Sequence, residues 1–293
     1  MSTKIKDNGA LLSLISTVFF SVQFPLIRLS LAYIKSSQAA VLEAAFTIVF
    51  CLLLMKFQQK KAKLVISWGC VASGLLNAAG LIFLFEGLAR IHPGIVGLVG
   101  RLYFVYAMLI AYIYFQERPT KSELILLLVA ILGVFLVSFQ SSLTSPGSAV
   151  GILMAILYPA SFALQNAVIK TTVKQSEPLV VLLNTKLVAL VPLIFYSVLR
   201  LNTGFLNFNL IGSSIIFCST FISTFLGLLL FYRAMGLTTF GLANLMKVVE
   251  PVFVLLFSAM LFPITLSPPT VLGIALILVS VAAVATAKGR VKQ

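Results

Sequence analysis

The sequence predicts an all-α membrane protein of ten transmembrane helices, built as two inverted five-helix repeats with both termini in the cytoplasm. The composition, the number of apolar runs and the distribution of basic residues predict this fold. Of the 293 residues, 60% are hydrophobic and 10% are charged, whereas soluble domains have about 45–50% apolar and about 25% charged residues. A chain of this composition is expected to lie in a lipid bilayer.

The apolar runs are bounded by basic residues, proline, asparagine or serine, and each is close to the ~20 residues that a helix needs to cross a bilayer. In chain order they cover 9–28, 36–55, 64–86, 94–115, 122–140, 148–169, 178–199, 209–231, 240–262 and 267–287. Strands of a membrane barrel would instead alternate in polarity over stretches of ~10 residues. The continuous runs therefore predict helices, with loops too short for a soluble domain.

The orientation follows from the basic residues, which number 21 against 7 acidic residues. With the N-terminus inside, fourteen basic residues fall on the cytoplasmic side and four fall outside, namely Arg28, Lys35, Arg90 and Arg200. In membrane proteins, Lys and Arg accumulate in the cytoplasmic loops and thereby indicate the orientation. We therefore expect an even number of helices, cytoplasmic termini and a multi-pass protein of a bacterial-type inner membrane, and no nucleic-acid partner.

An internal repeat is indicated when the chain is shifted against itself by 147 residues, which aligns the fourth run with the ninth. Gly94 then falls on Gly241, and Val105 falls on Val252. Five helices per repeat is an odd number, so duplicated halves must have opposite orientations in the membrane. We expect the first repeat to cover residues 1–145 and the second to cover residues 146–293.

Charged side chains inside the predicted helices are the first candidates for function, because a charge at mid-bilayer costs ~2.5–3.5 kcal/mol on insertion scales and usually pairs or lines a pathway. They are Glu43, Arg101, Lys186, Lys247 and Glu250. In one interpretation, Lys247 and Glu250 neutralise each other across one helical turn. In the other, Arg101 and Lys247 project from the fourth and ninth helices into a central cavity, where they suit a carboxylate or phosphate.

The carboxylates are also candidates for carrying a coupling proton. Lys247 lies one turn from Glu250 and favours its charged form, so Glu43 is the better proton carrier of the two. The alternative is that Glu43, Glu250 and Lys186 form structural ion pairs. Pro251 interrupts the hydrogen bonds of the ninth helix, and it serves either as a hinge beside the cavity or only as a bend for packing.

Uncharged side chains complete the predicted substrate site. Gln23, Asn77, Gln165 and Asn244 are the polar residues expected to reach the cavity. Two aromatic residues, Tyr103 and Phe253, lie on the expected pathway faces of the fourth and ninth helices. The alternative is that the polar residues only join helices through hydrogen bonds and that the aromatic residues pack against lipid or core.

Catalytic and cofactor motifs are lacking in the sequence. The single histidine, His92, has no neighbouring Cys, Asp or Glu for a metal cluster or a catalytic triad. A phosphate-binding Gly-x-x-x-x-Gly-Lys-Ser/Thr loop does not occur, which argues against an ATP-driven pump working alone. We therefore expect no metal, no cofactor and no enzymatic activity.

Motifs in the second half resemble the signature of EamA-type transporters of the drug/metabolite transporter superfamily. They are Arg233-Ala234-Met235-Gly236, Asn244-Leu245-Met246 and Glu250-Pro251-Val252-Phe253. In the first half, Phe115-Gln116-Glu117-Arg118 ends the fourth helix with the acidic residue that this family often has there. Two positions depart from the pattern, since Phe104 replaces a frequent proline and Ile264 replaces a frequent glutamate.

The resemblance implies a secondary active transporter that works by alternating access between its halves. Its expected substrate is a small organic metabolite, such as an amino acid or a related amphiphilic compound, moved more often outward than inward. An importer or exchanger of the same fold is the first alternative, and a passive channel is the second. The expected partners are the substrate, the lipid bilayer and candidate coupling protons, in a monomer or a homodimer.

Replacement of Arg101 by Ala should abolish transport while expression stays normal, because it removes the cation expected in the fourth helix. Uptake into proteoliposomes that contain equal amounts of wild-type and variant protein measures the effect. Unchanged uptake would remove Arg101 from the site.

Overall fold

In a computed structural model, the described residues are 3–60, 67–90, 99–100, 102–117, 125, 128–129, 132, 149–201, 209–261, 268, 271–273, 275–276 and 279. Within these ranges the regular elements are helical and no strand occurs. In chain order they are α1 (Thr3–Ser30), α2 (Ser36–Phe57), α3 (Trp68–Arg90), α4 (Leu102–Ile113), α5 (Ala149–Thr172), α6 (Pro178–Leu201), α7 (Leu210–Leu237), α8 (Phe240–Leu245) and α9 (Glu250–Leu261). This part of the chain confirms the predicted all-helical fold.

Six of the described helices are long and apolar enough to cross a membrane, namely α1, α2, α3, α5, α6 and α7. The shorter apolar helix α4 lies in the predicted fourth run. In the ninth run, α8 and α9 are joined by a 3₁₀ turn at Met246–Val249. The fifth and tenth runs, 122–140 and 267–287, lie mostly outside the described residues.

Helix α3 packs against both α5 and α6, α2 packs against α6, and α1 packs against α7 and α9. Two glycines of α3 allow this close approach. A Cβ atom on Gly74 would lie 2.5 Å from the Cβ of Val188 in α6, and one on Gly80 would lie 2.6 Å from the ring of Phe162 in α5. Small residues at such contacts let helix backbones come close together in lipid.

Aromatic packing joins α2 to α7. The ring of Phe50 in α2 lies 5.0, 5.1 and 5.6 Å from the rings of Phe217, Phe221 and Phe225, measured between centroids. The residues Thr220–Gly227 of α7 are wound as a π-helix, a wider turn that often occurs at functional positions. This segment carries Thr224, whose hydroxyl reaches the interior of the bundle.

The turn between α7 and α8 is held by two charged side chains from other helices. Lys170, in the last turn of α5, donates to the carbonyl oxygens of Met235 and Thr238 at the end of α7. Glu117, just after α4, accepts from the backbone N–H groups of Phe240 and Gly241 at 2.8 Å each. A cation at a helix C-terminus and an anion at a helix N-terminus both oppose the helix dipole.

The C-terminal ends of α3 and α6 are joined by a second polar contact. The carboxylate of Glu86 accepts from Tyr196 and Arg200 of α6 and from Arg90 in its own helix. Arg200 Nη2 lies 2.8 Å from Glu86 Oε2. This contact fixes the ends of two helices that both carry basic residues predicted to lie outside.

Replacement of Gly74 by Ala should destabilise the protein by about 1–3 kcal/mol, because the new methyl group overlaps Val188 and the backbone oxygen of Thr185. Gly236→Ala is the matched control, since no atom lies within 4 Å of its added Cβ, and alanine favours a helix by up to about 1 kcal/mol. Thermal unfolding in detergent compares the two variants. Equal midpoints would contradict the close α3–α6 contact.

Candidate functional site

Buried polar side chains form two neighbouring clusters inside the apolar bundle. The first, here called the ion-pair cluster, consists of Glu43, Asn77, Gln165, Lys186, Thr224 and Tyr232. The second, here called the lysine box, consists of Lys247 with Phe20, Tyr103 and Phe231 around it. Each cluster contains one ammonium group, and the two groups are stabilised in different ways.

The ion-pair cluster saturates the ammonium group of Lys186, which is only 1% exposed. Its Nζ atom lies 3.2 and 3.1 Å from the two carboxylate oxygens of Glu43 and 3.1 Å from Oδ1 of Asn77. The hydroxyl of Thr224 donates to Glu43 Oε1 at 2.8 Å. An ammonium group has three N–H donors, and all three have an acceptor here.

Further hydrogen bonds extend this cluster to α5 and α7. Asn77 Nδ2 donates to Gln165 Oε1 at 3.2 Å, and Gln165 Nε2 donates to the hydroxyl of Tyr232 at 3.4 Å. The ion-pair cluster therefore joins α2, α3, α5, α6 and α7. Because both side-chain amides are oriented by partners on each side, the network holds its members in one arrangement.

In the lysine box, the ammonium group of Lys247 faces aromatic rings. Its Nζ atom lies 4.1 Å from the ring centroid of Phe231, 4.6 Å from that of Phe20 and 5.1 Å from that of Tyr103. A cation within about 6 Å of a ring centroid is attracted by the π electrons. The carboxylate of Glu250 also acts on this cation electrostatically. Lys247 is half-buried and lies in the 3₁₀ turn between α8 and α9.

The ring of Tyr103 is held in place through its hydroxyl. Asn166 Nδ2 donates to this oxygen at 2.7 Å, and the hydroxyl in turn donates to Oδ1 of Asn244. Asn244 is itself oriented, because its Nδ2 donates to the carbonyl oxygen of Phe240 at 2.8 Å. The wall of the lysine box is thus positioned before any ligand binds.

The two clusters are continuous through α5 and α7. Gln165 belongs to the ion-pair cluster and Asn166 to the support of Tyr103, and these residues are neighbours in α5. In the same way, Phe231 faces Lys247 while Tyr232 accepts from Gln165. Residues from both halves of the chain therefore contribute to one polar region.

The structure brings together most of the residues that the sequence singles out. Glu43, Asn77, Gln165 and Lys186 meet in the ion-pair cluster, and Tyr103, Asn244 and Lys247 meet at the lysine box, which has Glu250 near it. The fourth and ninth runs are also in contact, since α4 packs against α8.

Other predicted positions stand apart from these contacts. Gln23 and Phe253 are half-buried, and neither makes a side-chain hydrogen bond or ring contact within the described ranges. Pro251 is the second residue of α9 and lies two residues after the end of the 3₁₀ turn. Arg101 and His92 lie outside the described residues.

Some residues of the site are missed by reasoning from sequence. Phe20, Phe231 and Tyr232 are ordinary members of apolar runs, and only their contacts reveal their role. Lys170 is one of the fourteen basic residues that the charge count places on the cytoplasmic side, and in the structure it is 6% exposed in the last turn of α5. The predicted run ends at residue 169, and the polar sequence Lys170-Thr171-Thr172 that follows gave no signal that the ammonium group is buried.

Apolar helices of membrane-spanning length around a buried polar region define a multi-pass membrane protein. The sequence profile of the EamA-like transporter family matches residues 7–139 and again residues 149–286. The chain belongs to this family, which is part of the drug/metabolite transporter superfamily. The resemblance found from the motifs is thereby confirmed.

Two individual proteins are similar to this chain over nearly its whole length. An uncharacterized transporter of Archaeoglobus fulgidus is 24% identical over 272 residues, which cover 91% of this chain and 95% of that protein. A protein known from a crystal structure has the same fold, with a TM-score of 0.82 and 13% identity over 98% of this chain and 99% of the other. The family and the relative indicate a membrane transporter rather than an enzyme.

Replacement of Lys186 by Met should destabilise the protein by about 3–5 kcal/mol, because Glu43 then keeps a buried charge without its cation. The double variant Glu43→Gln with Lys186→Met should recover most of this loss, since no charge is left unpaired. Unfolding in detergent of the wild type, both single variants and the double variant gives the coupling energy. Additive effects would contradict the ion pair.

Proposed function

We propose that this protein is a secondary active transporter that exports a small organic metabolite by alternating access. The substrate is an amino acid or a related amphiphilic compound. The observation that carries the proposal is the lysine box, which combines an ammonium group with three aromatic rings beside a hydrogen-bonded polar network. Such surroundings suit a ligand with one polar and one apolar part.

The proposed architecture has two inverted repeats, residues 1–145 and 146–293, each with five helices. Two observations support it. The family profile matches the chain twice, over 7–139 and 149–286. In addition, two inverted repeats make α5 the counterpart of α1 and α7 the counterpart of α3. The α3–α5 contact then has the α7–α1 contact as its counterpart, and both contacts occur.

Alternating access requires a site that both repeats share, so that rocking of one half against the other exposes it to either side. Both polar clusters draw residues from each half, which supports this mechanism. Pro251 follows the 3₁₀ turn that carries Lys247. We propose that this break in the ninth helix is the hinge beside the substrate.

Proton exchange is the coupling that we propose for export. Glu43 accepts hydrogen bonds from Lys186 and Thr224, the contacts of a structural ion pair. Glu43 stays the better of the two candidate carriers from the sequence, and the other is Glu250, the first residue of α9, near the lysine box. The proposed setting is a bacterial inner membrane with both termini in the cytoplasm, as the basic loops indicate.

Counterflow into proteoliposomes tests the proposed function with a panel of radiolabelled amino acids, nucleosides and organic acids. We expect at least one amino acid or similar amphiphile to show saturable uptake that is accelerated by unlabelled substrate inside. A passive channel would show neither saturation nor counterflow. Empty liposomes are the control.

The direction and the coupling are tested with the substrate found in that panel. Everted membrane vesicles should accumulate it when their interior is acidic, because export by proton exchange runs into such vesicles. Accumulation only in right-side-out vesicles would identify an importer. Transport that does not respond to a pH gradient would contradict proton coupling.

A further inference from the structure

We infer that Lys247 is the anchor for a carboxylate group of the substrate and that its three rings hold the ammonium group ready for this ligand. The inference rests on the proposed function and names the chemical class that the site takes. It follows from a comparison of the ammonium groups of Lys186 and Lys247, which have the same chemistry in different surroundings.

Lys186 has no capacity left for a ligand. Its three donors are taken by the two oxygens of Glu43 and by Asn77, at 3.1–3.2 Å. An anion would have to displace one of these acceptors and would leave it buried without a donor, which is unfavourable, most of all for a charged group. Lys186 therefore serves the stability of the bundle.

Lys247 has the opposite arrangement. Among the residues that the structure describes, no oxygen accepts a hydrogen bond from its Nζ atom. The rings of Phe20, Tyr103 and Phe231 attract the cation, but a ring face offers no oxygen or nitrogen acceptor to its N–H groups. The ammonium group of this half-buried residue is partly removed from water, which is unfavourable for a charge. An anionic ligand would supply the acceptors that the rings lack.

The rings also position the ammonium group. Phe20 and Phe231 lie edge to face with their centroids 6.0 Å apart, and Tyr103 is fixed through Asn166 and Asn244. A cation held by three fixed rings loses little side-chain freedom when a ligand binds, so less of the binding energy is spent on ordering it. The apolar faces of the same rings suit the hydrocarbon part of the ligand.

A single carboxylate fits the charge of this site better than a phosphate does. At the lysine box itself, the charges among the described residues are Lys247 and the Glu250 carboxylate that acts on it. A monocarboxylate adds one negative charge beside one cation, whereas a phosphate adds nearly two. The second negative charge would have no cation of its own at the lysine box, in a medium of low dielectric constant where an unpaired charge is costly.

The test uses the full-length protein in an uncharged maltoside detergent, with hexanoate, hexanamide and inorganic phosphate as probes. Hexanoate and hexanamide differ in charge but hardly in shape. We expect hexanoate to raise the unfolding temperature of the wild type in a saturable way, and hexanamide and phosphate to have little effect. Equal stabilisation by hexanamide, a stronger effect of phosphate, or no effect of hexanoate would each overturn the inference.

Variants locate the effect. Lys247→Met keeps the length of the side chain but removes its charge, and it should weaken hexanoate binding at least about tenfold. Lys60→Met is the matched control, because Lys60 forms only an exposed ion pair with Glu177 and should leave binding unchanged. Equal loss in both variants would overturn the assignment. If Lys247→Met does not fold, the comparison of hexanoate with hexanamide on the wild type decides.

The result is separable from the test of transport. Specific hexanoate binding at Lys247 without any counterflow would contradict the transporter mechanism and still support Lys247 as the carboxylate anchor. Saturable counterflow of a substrate without a carboxylate would support the transporter and overturn the anchor.

Discussion

The ammonium groups of Lys186, which is buried, and of Lys247, which is half-buried, have to be stabilised among apolar helices, and the arrangement of the helices follows from how this is done. Lys186 meets Glu43 and Asn77 at the junction of α2, α3 and α6. The three helices have to pack closely enough for these side chains to form hydrogen bonds at the same time. If they were further apart, the buried charges would not be compensated. Gly74 allows the close contact between α3 and α6 that these hydrogen bonds require.

Helix ends form the second set of constraints. In lipid, the unpaired carbonyl and N–H groups at a helix terminus cannot rely on water. Lys170 and Glu117 satisfy these groups on the two sides of the α7–α8 turn. Because they set where α8 begins, they also set the positions of Asn244 and Lys247 further along the same segment. The acidic residue that ends the fourth helix thus has a physical role in placing the site.

The helical fold was largely predictable, but the pairing of charges was not. Apolar runs of about 20 residues predict helices because lipid demands internal hydrogen bonds. Glu43 and Lys186 lie 143 residues apart in the chain, and no local sequence pattern connects them. The nearest sequence neighbours, Lys247 and Glu250, suggested a pair along one helix. In the structure a 3₁₀ turn carries Lys247, and aromatic rings surround its ammonium group.

The sequence by itself determined the membrane setting, the positions of the apolar helices, the family and the small set of intramembrane polar residues. These properties depend on composition and local periodicity, which are read along the chain. Only the tertiary structure decided which lysine is saturated and which one faces rings. That difference depends on side chains such as Phe20, Asn77 and Phe231, which come from separate helices and acquire a role only when the helices pack.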